Sequence, residues 1–417
     1  MAGHDELPNG RFTKKQMFMI RFLAFGIILS VLAYGTNSEG WREAKNNQST
    51  ETISEEGQKS RSIEAITEEV QRERLQEAVD EINKAIEDCV PGIICWGDSL
   101  TEGGKVKYPS VLSEVIRENI IEKIALEDIA APEYQYLIDD YLTSIKTPEV
   151  VNMGVARETS ITIAGRAGAI PYVTAEDITI PGQVTAVELP LISADGKKVV
   201  PFNPGYCGLE EIKISGGGYG KISVEIDENT QERTYFFMRN TPGEIVEIPA
   251  GTTIETYGAT HYLDYLPVIY IGTNGGYVDS EDLIVQQRAM INHYAENKDR
   301  FIIIGIHIGT QEEREELEDA LEKEYGAQYI NLREYMSTKG IDDANKLLNA
   351  GIKASSHDKE MIKEGKTPAS LMVKDELHFN ACGYELLGNL IYKRMDQLGY
   401  FEELQDSIEE IRNDLWK

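Results

Sequence analysis

The chain has 417 residues, of which 41% are hydrophobic, and at about 150 residues per domain it is long enough for two or three domains. Lys and Arg number 41 and Asp and Glu number 71, so the formal net charge is −30. This charge argues against nucleic acid or an anionic membrane surface as the main partner, because both are negatively charged.

The N-terminal stretch, residues 1–35, predicts a membrane segment. Basic residues precede an uncharged apolar run over residues 22–35; they are Arg11, Lys14, Lys15 and Arg21. Because a basic flank stays in the cytoplasm, an uncleaved signal-anchor would hold the rest of the chain outside it. The first alternative to a signal-anchor is a cleaved signal peptide. The apolar run is short enough for one, although a good cleavage site is missing. A buried N-terminal helix is the second alternative.

A polar spacer and a helix are predicted next. Residues 36–61 are rich in Glu, Asn, Ser and Gln, which is typical of a flexible spacer. Residues 62–89 carry apolar side chains three and four positions apart and predict an amphipathic helix. We expect it to pack on the following domain rather than to form a stalk, because it leads directly into the first strand.

From residue 90 onward, strands and helices alternate. Strands are predicted at residues 93–96, 150–155, 266–272, 301–309 and 328–336, with helices at 107–120, 280–296, 311–325, 382–395 and 401–416. This alternation predicts a parallel sheet covered on both faces, in an α/β domain formed by residues 90–165 and 266–417. Between them, residues 166–265 contain short segments rich in Val, Ile, Thr and Tyr, which predict an inserted antiparallel β domain.

The cysteines indicate no disulfide framework and no metal site. Cys89, Cys95, Cys207 and Cys382 form no CxxC pair and have no metal-ligand spacing. Cys95 lies in the first predicted strand and is expected to be a small core residue.

Polar motifs lie where predicted strands end, and one more precedes the C-terminal helix. They are Gly97-Asp98-Ser99-Leu100, Asn152-Met153-Gly154, Gly272-Thr273-Asn274 and Asp375-Glu376-Leu377-His378. Because open α/β sheets place their sites beyond the carboxyl ends of the strands, we expect these motifs to meet.

Ester hydrolysis by a serine requires a base, an acid that orients the base, and N–H donors for the oxyanion. His378 has Asp375 three residues earlier, a spacing that lets the carboxylate reach Nδ1 and leaves Nε2 free. The amide of Asn274, in a glycine-rich turn, can point into the cleft. The other histidines are not expected to act as the base: His4 is on the N-terminal tail, His307 is a satisfied core residue, His293 is solvated on a helix, and His261 and His357 lack an evident acid partner.

At these residues the chain resembles the SGNH (GDSL) hydrolases, whose four blocks occur in this order. The resemblance covers about residues 90–165 and 266–400. A single GDSL tetrapeptide recurs by chance, whereas four blocks in this order are specific. The resemblance implies a flavodoxin-like three-layer sandwich with a parallel sheet, interrupted here by the β insert, and it implies no metal and no cofactor.

The resemblance also implies roles for individual residues. Ser99 would be the nucleophile, His378 the base and Asp375 its orienter. The Ser99 N–H and the Asn274 amide would bind the oxyanion, with Gly154 in the same hole. Substrate contacts are predicted for Asp98, Gly272 and Thr273, although a turn-stabilising role suits Asp98 better than that of a catalytic acid.

The chain departs from the family pattern at Arg157. The family places a glycine there, whose N–H is the third oxyanion donor, in a pattern N-x-G-x-x-G. Because glycine adopts turn geometries that arginine resists, Arg157 would weaken the hole, add a cation facing an anionic substrate, or lie on the surface of a slightly re-routed chain. Glu158 is a candidate partner for Arg157 and is assigned no role.

The sequence thus predicts an extracytoplasmic, membrane-tethered serine esterase. It would remove an acyl or acetyl group from a cell-surface or extracellular carbohydrate, or from another small ester. The insert would bind glycan, act as a lid, or only stabilise the fold. Two alternatives remain: a surface O-acyltransferase that uses the same acyl-enzyme, and a catalytically weak glycan-binding protein. A long-chain lipase is disfavoured, because no long apolar lid is evident.

Overall fold

The structure, a computed structural model, describes residues 55–90, 92–124, 132–294 and 298–415. The predicted signal-anchor and most of the predicted spacer lie outside these residues. Within the described part of the chain, no helix combines the length and apolar character needed to cross a membrane.

The described elements follow one another in chain order. The helices are α1 Glu55–Cys89, α2 Ser99–Glu102, α3 Tyr108–Ile124, α4 Ile138–Leu142, α5 Ser160–Arg166, α6 Tyr257–Thr260, α7 Ser280–His293, α8 Gln311–Tyr325, α9 Leu332–Tyr335, α10 Ile341–Leu347, α11 Ser356–Lys363, α12 Ala381–Gln397 and α13 Glu402–Leu415. Shorter 3-10 turns span Pro132–Leu137, Gly326–Gln328 and Ala369–Leu371, and a π-helical turn spans Met336–Gly340. The strands are β1 Ile93–Gly97, β2 Val150–Gly154, β3 Tyr172–Thr174, β4 Ile178–Ile180, β5 Val187–Glu188, β6 Leu191–Ser193, β7 Ile212–Ile214, β8 Gly218–Ile226, β9 Arg233–Arg239, β10 Val246–Ile248, β11 Thr253–Thr256, β12 Leu266–Tyr270, β13 Ile302–Ile304 and β14 Tyr329–Ile330.

A five-stranded parallel sheet organises the chain, as predicted. Its strand order is β2-β1-β12-β13-β14. In register, Gly97 at the end of β1 pairs with Gly154 on one side and with Tyr270 on the other. The carboxyl ends of three neighbouring strands therefore lie level at one edge, and the segments that follow them emerge side by side.

Both faces of this sheet are buried, which accounts for the nearly continuous apolar strands. Alternate residues of β1 point to opposite cores: Ile93 and Cys95 join the cluster that includes α3 and α12, whereas Ile94 and Trp96 join the cluster that includes α7 and α8. Cys95 is fully buried, as expected of a core residue. All four cysteines are free thiols.

Helix α1 packs on the sheet domain through its C-terminal part, as expected. Leu75, Val79, Ile82 and Ile86 belong to the first core cluster, whereas Val70 is 45% exposed. The helix also begins seven residues before the predicted start at 62, within the predicted spacer. The Glu, Gln and Lys residues of that stretch are good helix formers, which explains the extension.

The inserted segment forms antiparallel sheets, as predicted. Seven strands pair in the order β5-β9-β8-β7-β11-β3-β6, and β10 pairs with β4. Their inner faces share a core of their own. The two ends of the insert lie together, because the Thr256 hydroxyl donates to the Arg166 carbonyl over 2.9 Å.

Two predicted strands are much shorter than expected. The strand predicted over residues 328–336 ends at Ile330, because Asn331 caps α9 by accepting the Glu334 N–H. The strand predicted over residues 301–309 ends at Ile304, so His307 follows the strand instead of lying in it.

Candidate active site

Ser99 lies at the first turn after β1, half-buried at the carboxyl edge of the sheet. The turn is tight: a Cβ at Gly97 would lie 2.0 Å from the Thr101 hydroxyl, so only glycine fits. Asp98 caps the short helix α2 by accepting the Leu100 N–H over 2.9 Å. Capping is thus done by Asp98, and the Ser99 side chain is left to face the cleft.

His378 and Asp375 lie on a hairpin that enters helix α12. Met372 bridges to Phe379 at its base, and the Val373 N–H donates to the His378 carbonyl. Glu376 has φ +53°, the turn conformation that lets the chain reverse between the acid and the base.

The three side chains form a connected chain of hydrogen bonds. The Ser99 Oγ lies 2.9 Å from His378 Nε2, and His378 Nδ1 lies 2.7 Å from Asp375 Oδ2. Residues 279 positions apart in sequence thus meet in the arrangement that general-base activation of a serine requires.

The Asp375 carboxylate is held in its charged form. Burial acts to raise its pKa, but the N–H groups of His378 and Leu377 both donate to Oδ1 over 2.9 Å, and the imidazole contacts the other oxygen. These hydrogen bonds outweigh the effect of burial and lower the pKa of Asp375 to about 2. A carboxylate at every working pH fixes the Nδ1–H tautomer of His378 and leaves Nε2 free to accept a proton.

His307 supports this hairpin from behind. Its Nε2 donates to the Leu377 carbonyl over 2.8 Å, and its Nδ1 accepts from the Tyr270 hydroxyl over 2.6 Å. It is fully buried, and burial lowers its pKa to about 3, so the ring is neutral. The expectation of a satisfied core histidine is confirmed.

Two backbone N–H groups at the sheet edge lack a protein acceptor. Neither the Ser99 N–H nor the Arg157 N–H donates to another described residue. Arg157 has φ +69°, the left-handed conformation that favours glycine. The Arg157 N–H is therefore left free in a turn of the kind that glycine adopts easily, and the Arg157 side chain is exposed.

Asn274 brings a third donor to the same edge. Its Nδ2 donates to the Glu158 carbonyl over 3.1 Å and to Asp98 Oδ2 over 3.3 Å. The second bond is long, so an oxyanion can displace it at small cost. The turn depends on glycine, since Gly272 has φ +110°.

Two predicted site residues have different roles from those expected. The Gly154 N–H donates to Asn152 Oδ1 over 2.9 Å, so it is not free for an oxyanion. Gly154 is needed instead for space, because a Cβ there would lie 2.0 Å from the Glu102 nitrogen. Asp98 is fully buried and holds the turn and Asn274, which leaves it no surface for a substrate.

Burial also sets the charge state of Asp98. Burial raises the pKa of the Asp98 carboxyl to about 6. The Leu100 hydrogen bond, the charge of His378 and the Thr273 hydroxyl lower this pKa but do not offset the effect of burial. Thr273, like Gly272, belongs to the turn that presents Asn274.

Glu158 pairs with Arg166 and not with Arg157. Glu158 Oε2 accepts from Arg166 Nε over 2.8 Å, and both side chains are completely buried. This pair was not predicted, because Arg166 lies at the predicted boundary between the sheet domain and the insert and has contacts with both. A charged residue inside an apolar helix such as SITIAGR was the available signal.

The remaining described histidines lie apart from the serine. His357 Nε2 contacts Glu376 Oε1 over 2.9 Å, so an acid partner exists where none was expected. His293 is half-buried with its Nε2 at the Ala259 carbonyl, contrary to the expectation of a solvated side chain, and His261 stacks on Tyr257. Among the described residues, no group of three His, Cys, Asp or Glu is arranged to hold a metal ion.

Comparison of the chain with models of protein families, with curated proteins and with solved structures finds no match in any of the three.

Proposed function

We propose that the chain is a serine ester hydrolase of the SGNH type. The observation that carries the proposal is the hydrogen-bonded series Ser99–His378–Asp375, at the same sheet edge as free N–H groups of Ser99 and Arg157. The order of the five parallel strands, 2-1-3-4-5 along the chain, supports the flavodoxin-like three-layer sandwich of that family.

In this mechanism the residues act in sequence. His378 Nε2 accepts the Ser99 proton as Oγ attacks the acyl carbonyl, and Asp375 stabilises the imidazolium that forms. The N–H groups of Ser99 and Arg157 and the Asn274 amide receive the oxyanion. The tetrahedral intermediate collapses to an acyl-enzyme and expels the alcohol, which takes the proton from His378. The neutral His378 then accepts a proton from the water that attacks the acyl-enzyme, and it returns this proton to Ser99 Oγ as the acid is released.

The substrate class rests on the location of the domain. The basic residues before the apolar run support an extracytoplasmic, tethered enzyme, which would meet acylated glycans of the cell surface. Protease treatment of intact cells tests the location: degradation of the domain supports it, and protection until lysis contradicts it.

The activity is tested with full-length protein in mild detergent. We expect p-nitrophenyl acetate hydrolysis to fall by about 10³-fold or more in Ser99→Ala and in His378→Ala. His261→Ala, which removes an exposed imidazole, is the control and should retain the rate. A wild-type protein no faster than Ser99→Ala would overturn the esterase proposal. Turnover that requires a sugar acceptor would instead identify an O-acyltransferase.

A further inference from the structure

The buried side chain of Arg166 joins the strand ends of the site to the insert. Its Nη1 donates to the Met153 carbonyl over 2.9 Å and to the Cys207 carbonyl over 2.6 Å. Its Nη2 lies 3.5 Å from the Gly97 carbonyl, and the guanidinium lies 5.0 Å from the centre of the Trp96 ring. One cation thus contacts the ends of β1 and β2 and a loop of the insert.

Glu158, the carboxylate of the pair, also forms hydrogen bonds to both the sheet domain and the insert. Its Oε2 accepts from Arg166, and its Oε1 accepts the N–H of Phe202, an insert residue, over 3.1 Å. Its carbonyl accepts from Asn274, and its neighbour Arg157 provides a free N–H. The loop that carries the Arg157 N–H, and whose Glu158 carbonyl accepts from the Asn274 amide, is therefore fixed through the side chain of Glu158.

A buried ion pair is costly to desolvate, and a hydrophobic pair of similar size often serves stability as well. Its presence here calls for a role that apolar side chains cannot fill. Only hydrogen bonds in defined directions can hold four backbone segments at fixed positions.

We propose that the Arg166–Glu158 pair is a positioning device for the oxyanion hole and makes the β-rich insert a structural part of the active site. Neither residue touches the reacting atoms. This inference rests on the proposed esterase function, because the hole has a task only if an oxyanion forms.

The test compares Glu158→Gln with Glu318→Gln in the full-length protein. Glu318 is the matched control, because it also forms a nearly buried ion pair, with Arg333, and contacts none of the four motifs. Active sites are counted by complete labelling with a fluorophosphonate. We expect Glu158→Gln to lower kcat by about 10²-fold with little change in KM, and Glu318→Gln to leave both nearly unchanged.

A transition-state mimic separates positioning from loss of folded protein. The affinity for a trifluoromethyl ketone, whose adduct bears an oxyanion, should fall in Glu158→Gln by the same factor as kcat/KM. The double variant Glu158→Gln with Arg166→Met removes the stranded charge, so its melting temperature should recover while its kcat stays low.

Three results would overturn the inference. Equal kcat in Glu158→Gln and Glu318→Gln would remove the link to the hole. Recovery of kcat in the double variant would mean that the two charges only satisfy each other. A wild-type protein no faster than Ser99→Ala would overturn the proposed function first, and this inference with it.

Discussion

At the scale of single residues, the candidate site depends on the backbone at Arg157, which leaves its N–H free at the same sheet edge as the Ser99 N–H. Ser99, Asp375, His378 and Asn274 could be selected because each lies in a short motif with a recognisable chemical pattern. The backbone conformation of Arg157 could not be predicted, because a sequence does not reveal whether a residue other than glycine takes a positive φ. The structure gives φ +69° there, a conformation that is strained for arginine.

Replacing Arg157 tests this strain directly. Because a side chain in the left-handed conformation costs about 1 kcal/mol, Arg157→Gly should be about 1 kcal/mol more stable than Arg157→Ala. Both variants keep the N–H, so both should keep most of the esterase rate. Urea unfolding provides the measurement, and equal stability of the two variants would contradict a positive φ at this position.

The buried Asp98 predicts a specific dependence of stability on pH. Its folded-state pKa of about 6 lies above the ordinary value of 3.8, so its contribution to stability is complete below pH 3.8 and is lost as the pH rises through about 6. The shift corresponds to about 3 kcal/mol. Between pH 4 and pH 8, the free energy of unfolding of Asp98→Asn should therefore rise by about 3 kcal/mol relative to that of wild type. A constant difference across that range would show that Asp98 is ionised throughout.

At the scale of elements, the strands and long helices follow from local apolar patterns, but their ends depend on individual polar residues. The predicted strand at 328–336 becomes two residues of β14 followed by α9, since a single capping side chain, Asn331, changes the backbone direction. Likewise, helix α2 and strand β2 lie close together only because Gly154 has no side chain.

A methyl group at this contact should disturb the serine. Gly154→Ala places a Cβ 2.0 Å from the Glu102 nitrogen, so β2 or α2 must shift. We expect a loss of about 1–3 kcal/mol in stability and at least about tenfold in kcat, because a small displacement of the nucleophile is costly. Gly104→Ala is the control, since a Cβ there meets no atom within 4 Å and should change neither quantity greatly. Matching behaviour of the two variants would refute a steric need for Gly154.

At the scale of the whole molecule, the sequence predicted the order of the parts but not how they are joined. The alternation of strands and helices gave the parallel sheet, and the Val- and Thr-rich texture gave the antiparallel insert. The Arg166–Glu158 pair stayed hidden, because its partners Met153, Cys207 and Phe202 come from segments that only the folded chain brings together.

The packing of helix α1 gives a prediction at the same scale. Leu75 is fully buried in the main core, whereas Val70, one and a half turns earlier, is 45% exposed. Leu75→Ala should lower the free energy of unfolding by about 2–5 kcal/mol. Val70→Ala should change it by less than about 0.5 kcal/mol. Thermal unfolding followed by circular dichroism measures both, and a small effect at Leu75 would mean that α1 is a detached stalk.

The insert enters and leaves the sheet domain at one point, where Thr256 meets the Arg166 carbonyl. A segment with adjoining ends can be gained by an ancestor in a single event without disturbing the strands on either side. Once such an insert and the sheet domain together bury an ion pair, however, removal of the insert leaves a charge in the site without the contacts that stabilised it. An insert of this kind is therefore easily gained and difficult to lose. Descendants of this chain are expected to differ in sequence on the outer surface of the insert and to retain the part that meets Arg166 and Glu158.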